Sequence, residues 1–487
     1  MTKRKKGTKR KSPKNNQPGD IRTDKWKLYP SSTQKLWLTM TVQEYRKFVR
    51  ALIGMGYTHW HEVADLNSQQ QVNYVEALFN RTKQRSTVKY DYFEKAAKNF
   101  PSFRKFPDYL RRAAIQNAIG QVSSFVTRYQ KWQSGIRNRR DEKPPRLTSV
   151  TNVYPALYKG QCIKYHEEYT AVEIKVWNGT DWVWTSMPCT VRARHLVTTN
   201  ELKSPSLIVN NKSCHLSAPF AINPQELPES ETVLAVDLGI NTTATATVVT
   251  SVGTVKARVF IHPATDIDRR DKRLSKISRK ASQTMRKSGK LHKGFCRGLY
   301  RKATNINREI AQKVSDELVK IASEHQCRAI VFENLKGWRP KGGRKRSNLK
   351  QRYHGWCQCA ARMLRKRFIV RLTQEKWHER GGKVEFVNPR YTSKYAYDGS
   401  GIVKRDSDNY ALCVFTTGKR YNADLNGSLN IAARYWVHQL GGCKATEVFE
   451  GKSSPDTSRT PITLATLWSL NSNYSSREDT TPTTRSV

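Results

Sequence analysis

Three short acidic stations constrain this chain more than anything else in it. They read VLAVDLGINTTATATVV around Asp237, AIVFENLKGW around Glu333 and YNADLNGSLNIAARY around Asp424. Each sets one carboxylate at the end of an apolar run or at the mouth of a helix. Two strand ends and one helix start, the latter with Asn422 as a candidate N-cap, can bring three carboxylates to one point of a single α/β layer. The background sharpens the point, because 87 Lys+Arg face only 40 Asp+Glu. A lone carboxylate beside a buried strand then needs a reason, and a divalent cation supplies one. Singly, an Asp before Gly is often a turn residue and an Asp in a helix start is often a cap. It is the combination that points to a site.

The formal net charge of +47 and pI near 10.1 call for a polyanionic partner, with nucleic acid the default. No apolar run approaches the ~18 residues of a transmembrane helix, so no membrane role is expected. The basic N-terminus is not followed by an apolar segment and is not a secretory signal. Nine irregularly spaced cysteines read as reduced thiols of a cytoplasmic protein.

The first eighteen residues hold eight Lys/Arg and no acid, and residues 1–24 read as a disordered basic arm. That arm is either a solubilising tail or, in a eukaryote, something like a nuclear localisation signal. Ordered structure is expected from about Lys25, with WKLYP and KLWLTMTV as short strands. From Val42 to about Trp132 the apolar spacing turns helical, with Arg111, Arg112, Arg128 and Lys131 on the outer face. After Pro144 and Pro145, residues 147–222 read as strands (AVEIKVW, WVWTSMPC, ARHLVTT, SLIVNN) that fit a small β-barrel.

From Glu231 strands and helices alternate. TVLAVDLGI, TTATATVVT and TVKARVFI read as consecutive antiparallel strands, followed by helix to about Glu324 and the strand AIVF. A long helix from about Leu349 to Arg380, the strand KVEFVN and a helix from Asn422 complete the pattern. Residues 451–487, rich in Ser, Thr and Pro, read as a disordered tail.

Residues 269–302 hold fourteen Lys/Arg and one acid, Asp271. This density suits a strip that grips a phosphate backbone, since each neutralised phosphate releases counterions. Its candidate contacts are Arg269, Arg270, Lys272, Arg273, Lys276, Arg279, Lys280, Arg286, Lys287, Arg297 and Arg301. A merely solvated helix face is the plainer alternative. A second basic loop at 339–356 could act as a lid. Tyr391, Tyr395 and Tyr397 beside Arg390 would either stack on unpaired bases or pack as a cluster.

The three stations and the segment NPRYTSK at 388–394 resemble the RuvC-type nuclease domain of the TnpB proteins of IS200/IS605-type transposons and of compact Cas12 effectors. The resemblance is specific over roughly 231–436. It implies a multidomain α/β, β-barrel and helical chain: an RNase H-like RuvC domain over 231–390 and 420–445, and a wedge-type β-barrel over 25–45 and 143–225. It further implies a helical recognition domain over 46–142 and a target nucleic-acid-binding insert over 391–419. The implied activity is RNA-guided cleavage of double-stranded DNA beside a short flanking motif. Asp237, Glu333 and Asp424 would hold Mg2+ (or Mn2+) as the catalytic set, the guide RNA would carry specificity, and Arg111 and Arg112 would face the heteroduplex. A cytoplasmic, nucleoid-associated place in a prokaryote goes with it.

One departure stands out. Members of that family usually carry a zinc ribbon in the insert, but Ala396, Gly399, Val414 and Thr417 stand where its cysteines would be. Cys413 alone cannot build a four-ligand site, and Cys357 and Cys359 have the wrong spacing on an expected helix. No zinc is expected. A compact Cas12 effector and a cleavage-deficient guided DNA-binding or repressor protein remain open as alternatives; retention of all three carboxylates favours cleavage. Oligomeric state is not legible.

Overall fold

The computed structural model describes residues 21–91, 106–136, 144–147, 150–191, 194–197, 199–211, 213–239, 242–334, 365–406, 409, 411–440 and 461–478. The basic arm at 1–20, the loop at 339–356, Cys357 and Cys359 lie outside the described residues. The chain divides into two compact units, Met1–Asn223 and Pro224–Val487.

The first unit opens with β1 (Ile21–Leu28), then α1 (Ser32–Thr58), α2 (Trp60–Val63), α3 (Ser68–Ala77) and α4 (Asp108–Gln133). Strands β2 (Ile163–Tyr165), β3 (Ala171–Trp177), β4 (Trp182–Thr190), β5 (Glu201–Leu202), β6 (Ser206–Asn210) and β7 (Ser213–Ala221) follow. They form a seven-stranded sheet in the order β2-β3-β4-β1-β7-β5, with β6 also on β7, and every pairing is antiparallel. β1 therefore sits mid-sheet between strands that arrive long after it, and the helices are an excursion between them. One apolar core serves both layers, joining Leu38, Phe48 and Leu52 of α1 to Val172, Ile174 and Val176 of β3. In place of a strictly closed barrel, the segment ahead of β2 links the two sheet edges. Leu157 donates to the Pro205 carbonyl at 2.7 Å, and Leu207 donates to that of Pro155 at 3.0 Å.

Two expected strands are corrected here. KLWLTMTV is the start of α1, not a strand. Ser31 and Gln34 form a capping box, and burial of Leu38, Thr41 and Val42 follows helical spacing while Leu36 is 58% exposed. Of ARHLVTT, the described residues 194–197 and 199 form no strand, and the backbone and ring of His195 are both held by buried Asp24 of β1, at 3.1 and 2.6 Å. Order also begins at Ile21, ahead of Lys25.

In the second unit β8 (Thr232–Asp237), β9 (Ala244–Thr250) and β10 (Val255–Ile261) are the expected antiparallel run. Helices α5 (Ala264–Ser288) and α6 (Arg297–Glu324) lead to β11 (Ala329–Glu333), α7 (Arg365–His378) and β12 (Lys383–Val387). The sheet order is β10-β9-β8-β11-β12, and β8, β11 and β12 run parallel. A parallel strand is buried on both faces, and β8 shows it. Leu234 and Val236 pack toward α6 and α7, whereas Val233 and Ala235 pack toward α8 (Ala423–Leu440) and α9 (Leu464–Glu478).

Helix α9 corrects the reading of the whole tail as disordered. Leu464 and Leu467 are fully buried in the core with α8, and the Trp468 indole donates to the Gly253 carbonyl at 3.1 Å. Three short strands, β13 (Lys404–Arg405), β14 (Leu412–Val414) and β15 (Arg420–Asn422), form a small antiparallel sheet just ahead of α8.

Candidate functional site

Asp237 is the last residue of β8 and Glu333 the last of β11. These strands are neighbours, with Val236 opposite Phe332, so the two carboxylates leave the sheet side by side at its carboxyl end. Parallel strands lie about 4.8 Å apart, which sets the spacing of the two backbones. Asp424 occupies the first turn of α8, where the Asn422 side chain accepts from the amides of Asp424 and Leu425, both at 3.0 Å. The positive end of the helix favours a carboxylate there.

Two glycines let β8 and α8 close on each other. A Cβ at Gly427 would lie 2.8 Å from Asp237 Oδ2, and one at Gly239 would lie 3.2 Å from Asp424 Oδ2. Each carboxylate therefore presses on the element that carries the other.

Glu333 is held differently: its Oε1 accepts a short hydrogen bond from the hydroxyl of Thr392, which is 2% exposed. Thr392 belongs to NPRYTSK, and this segment is strapped to α8. The Asn430 amide donates to the carbonyls of Thr392 and Tyr395, both at 2.9 Å, and Asn426 donates to that of Tyr395 at 2.8 Å. Arg434 donates to the Asn388 carbonyl at 2.7 Å. Burial holds the Arg434 guanidinium below its ordinary range, opposed by the negative charge of Glu333. Thr392, Gly427, Asn430 and Arg434 were not singled out by sequence. The available signal was Asn426, Asn430 and Arg434 recurring every fourth residue on one face of α8. Among the described residues no group of three or more His, Cys, Asp or Glu stands close enough together to hold a metal ion as the side chains are placed. The carboxylates share one end of the sheet, each braced by its own contact.

The basic strip resolves into helix and surface. Ile267, Arg270 and Ile277 are buried on α5. Arg270, 1% exposed and paired with Asp271 at 2.7 Å, is a packing residue, which removes it from the surface contacts. Asp266 draws in Arg269 at 2.9 Å and Lys313 of α6 at 2.6 Å, and mainly the latter holds its carboxyl below the usual range. Lys272, Lys276, Arg279, Lys280, Arg286, Lys287, Arg297 and Arg301 are exposed, and Arg273 is half-buried. In the first unit Arg111 and Arg112 are committed to Glu76, at 2.8 and 3.4 Å, and tie α4 to α3. Both guanidiniums thus have a carboxylate partner within the first unit.

The insert keeps an apolar centre where the ribbon of the resembled family would carry thiolates. Ala396, Val403, Cys413, Phe415 and Ala423 pack together, flanked by Tyr397 and Tyr421. Burial pushes the Cys413 thiol up, and it donates to the Tyr421 carbonyl at 3.4 Å. Tyr397 thus packs, while Tyr391 is 37% exposed with the Arg390 guanidinium 4.9 Å from its ring centre. These residues do not suit zinc. Purified full-length protein is expected to carry no stoichiometric zinc by plasma mass spectrometry, and EDTA should leave its melting temperature unchanged. One zinc per chain would refute this.

Three family models match the chain: the Aq_aa04 family over residues 22–178, a probable transposase (OrfB_IS605) over 213–339, and the Cas12f1-like TNB domain over 367–431. A TnpB-like protein of Aquifex aeolicus, aq_aa05, is 29% identical over 265 residues, covering 51% of this chain and 82% of its own. Among solved structures, the mini-RNA-guided endonuclease CRISPR-Cas_phi3 aligns at a TM-score of 0.49 with 11% identity, over 86% of this chain and 93% of its own. CasPhi-2 (Cas12j) bound to crRNA aligns at 0.46 with 12% identity, over 90% and 100%. These matches make the chain similar to TnpB-like proteins over 213–339 and to Cas12f1-like proteins over 367–431, and they support kinship with the TnpB and compact Cas12 family.

Proposed function

We propose that this chain is an RNA-guided, Mg2+-dependent DNA endonuclease of the TnpB type that cuts beside a short flanking motif through one site built by Asp237, Glu333 and Asp424. The observation that carries the reading is the meeting of two parallel strand ends with the capped start of α8. The donor set suits the metal: Mg2+ prefers oxygen ligands and keeps several waters, so few carboxylates suffice. Asp237, Glu333 and Asp424 would hold Mg2+ or Mn2+, which when bound activates a water and offsets charge on the phosphate. The protein's own part is to aim the carboxylates: α8 sets Asp424 by its cap and presses Gly427 on Asp237, while Thr392 fixes Glu333.

In this reading the first unit's sheet, β1 to β7, is the wedge and its helices α1 to α4 are the recognition part, so the boundary expected at 45/46 gives way to α1, which runs unbroken over Ser32–Thr58. Residues 231–390 and 420–445 form the nuclease domain, and 391–419 handle target DNA. The exposed cations of α5 and α6 bind phosphate, and base pairing to a guide RNA reads the sequence. No helix among the described residues is long and apolar enough to cross a membrane. A compact Cas12 effector is the second reading, since the TNB model that matches 367–431 is Cas12f1-like.

RNA copurified with the full chain is expected to be one discrete species, and the complex should cut a plasmid carrying the matching target only with Mg2+ or Mn2+. A transposon-end RNA selects TnpB and repeat–spacer RNA selects Cas12. The absence of any discrete RNA refutes the guided reading.

A further inference from the structure

Thr392 has one hydroxyl proton and two acceptors: Glu333 Oε1, at short range, and the Pro389 carbonyl at 3.1 Å. A hydroxyl donates once, and the shorter, charge-assisted bond to a carboxylate takes the proton. The geometry points to Thr392 as the positioning residue that fixes the side chain of Glu333 for a divalent cation, a role that rests on the nuclease reading above.

Three observations carry it. Thr392 is 2% exposed, so its hydroxyl has no bulk water to turn to. Its backbone is fixed from α8, because Asn430, 1% exposed, donates to the carbonyls of both Thr392 and Tyr395. Asn426, fully buried, closes the strap by donating to Tyr395 and accepting from the Tyr397 amide at 2.8 Å. The helix that presents Asp424 thereby also governs Glu333, which lies on a different strand and makes its bond to Thr392 across 59 positions of sequence. A buried polar network of this kind is satisfied in one arrangement and costly in others, so it transmits position rather than looseness. Groups that orient a metal ligand in this way typically govern roughly 10- to 100-fold in affinity or activity when removed.

The test uses Thr392→Val, which keeps the shape and loses the hydroxyl, and Thr392→Ser, which keeps the hydroxyl. Mn2+ binding is counted by electron paramagnetic resonance on RNA-free full-length protein, with Asp237→Ala as the blank, and cutting is titrated with Mn2+ on the RNA complex. Thr392→Val should raise the Mn2+ concentration for half-saturation and for half-maximal cutting by roughly 10- to 100-fold, while Thr392→Ser stays within a few-fold of the parent. Guide binding should stay with the parent in both, and Thr392→Val should remain folded with at most a modest fall in melting temperature. Equal Mn2+ affinity in Thr392→Val and parent overturns the assignment, and so does equal weakening in the Val and Ser variants. A parent that binds no Mn2+ above the blank also overturns it. If the parent binds Mn2+ and Thr392→Val weakens that binding, yet no DNA is ever cut, the positioning role stands and the nuclease reading falls.

Discussion

Asp237→Ala should lower Mg2+-dependent cutting by about a thousandfold or more while guide RNA binding is retained. The two effects separate because Asp237 ends β8 at the sheet's carboxyl edge, whereas the exposed cations lie along α5 and the start of α6. Removing a carboxylate that would hold the metal would cost the chemical step and leave the electrostatic grip on an RNA backbone intact. The melting temperature adds a second reading. Three carboxylates gathered at one sheet end repel one another without a cation, so deleting one should leave stability unchanged or raised, as at sites kept for function rather than folding. Cutting that survives Asp237→Ala removes Asp237 from the site. A fall of many degrees in melting temperature would make it a structural residue.

The stations were legible because each carboxylate ends an element whose apolar run is itself unmistakable: VLAV, AIVF and the helix after Asn422 all appear where the pattern put them. What failed was pattern without its competing signal. KLWLTMTV alternates like a strand, yet the Ser31–Gln34 capping box starts a helix ahead of it. β7 was not singled out, because Pro219 and its serines break the strand signature. The tail helix hid in Ser/Thr-rich composition, although Leu464 and Leu467 stand one turn apart and are both fully buried. Arg270 sits within a basic run, and only its helical spacing from Ile267 and Ile277 tells it from its exposed neighbours. The bracing of the site was beyond sequence for a different reason. Thr392 acts through a contact to a partner 59 positions away and Asn430 through contacts to partners 38 and 35 positions away, and no local spacing encodes those partners.

Gly427→Ala should reduce cutting about a hundredfold while helix content and guide binding stay as in the parent. By helix propensity alone the change is favourable by ~1 kcal/mol, since glycine inside a helix costs backbone entropy that alanine does not. The site reverses the sign for function. The added methyl would stand 2.8 Å from Asp237 Oδ2, closer than such contacts occur, and 3.5 Å from Ser393 Oγ. One of the three must yield. The carboxylate is the softest, having two side-chain torsions to turn about, whereas α8 is packed on the sheet along Leu429, Ala432 and Trp436. A displacement of about 1 Å at a reacting centre is enough for a hundredfold loss. Gly54→Ala is the internal control: it too is a helical glycine, in α1, with nothing within 4 Å of an added Cβ. It should raise the melting temperature slightly and leave cutting unchanged. Were Gly427→Ala to behave as Gly54→Ala does, the close approach of Asp237 to α8 would have no part in the chemistry, and the three carboxylates could not be treated as one site.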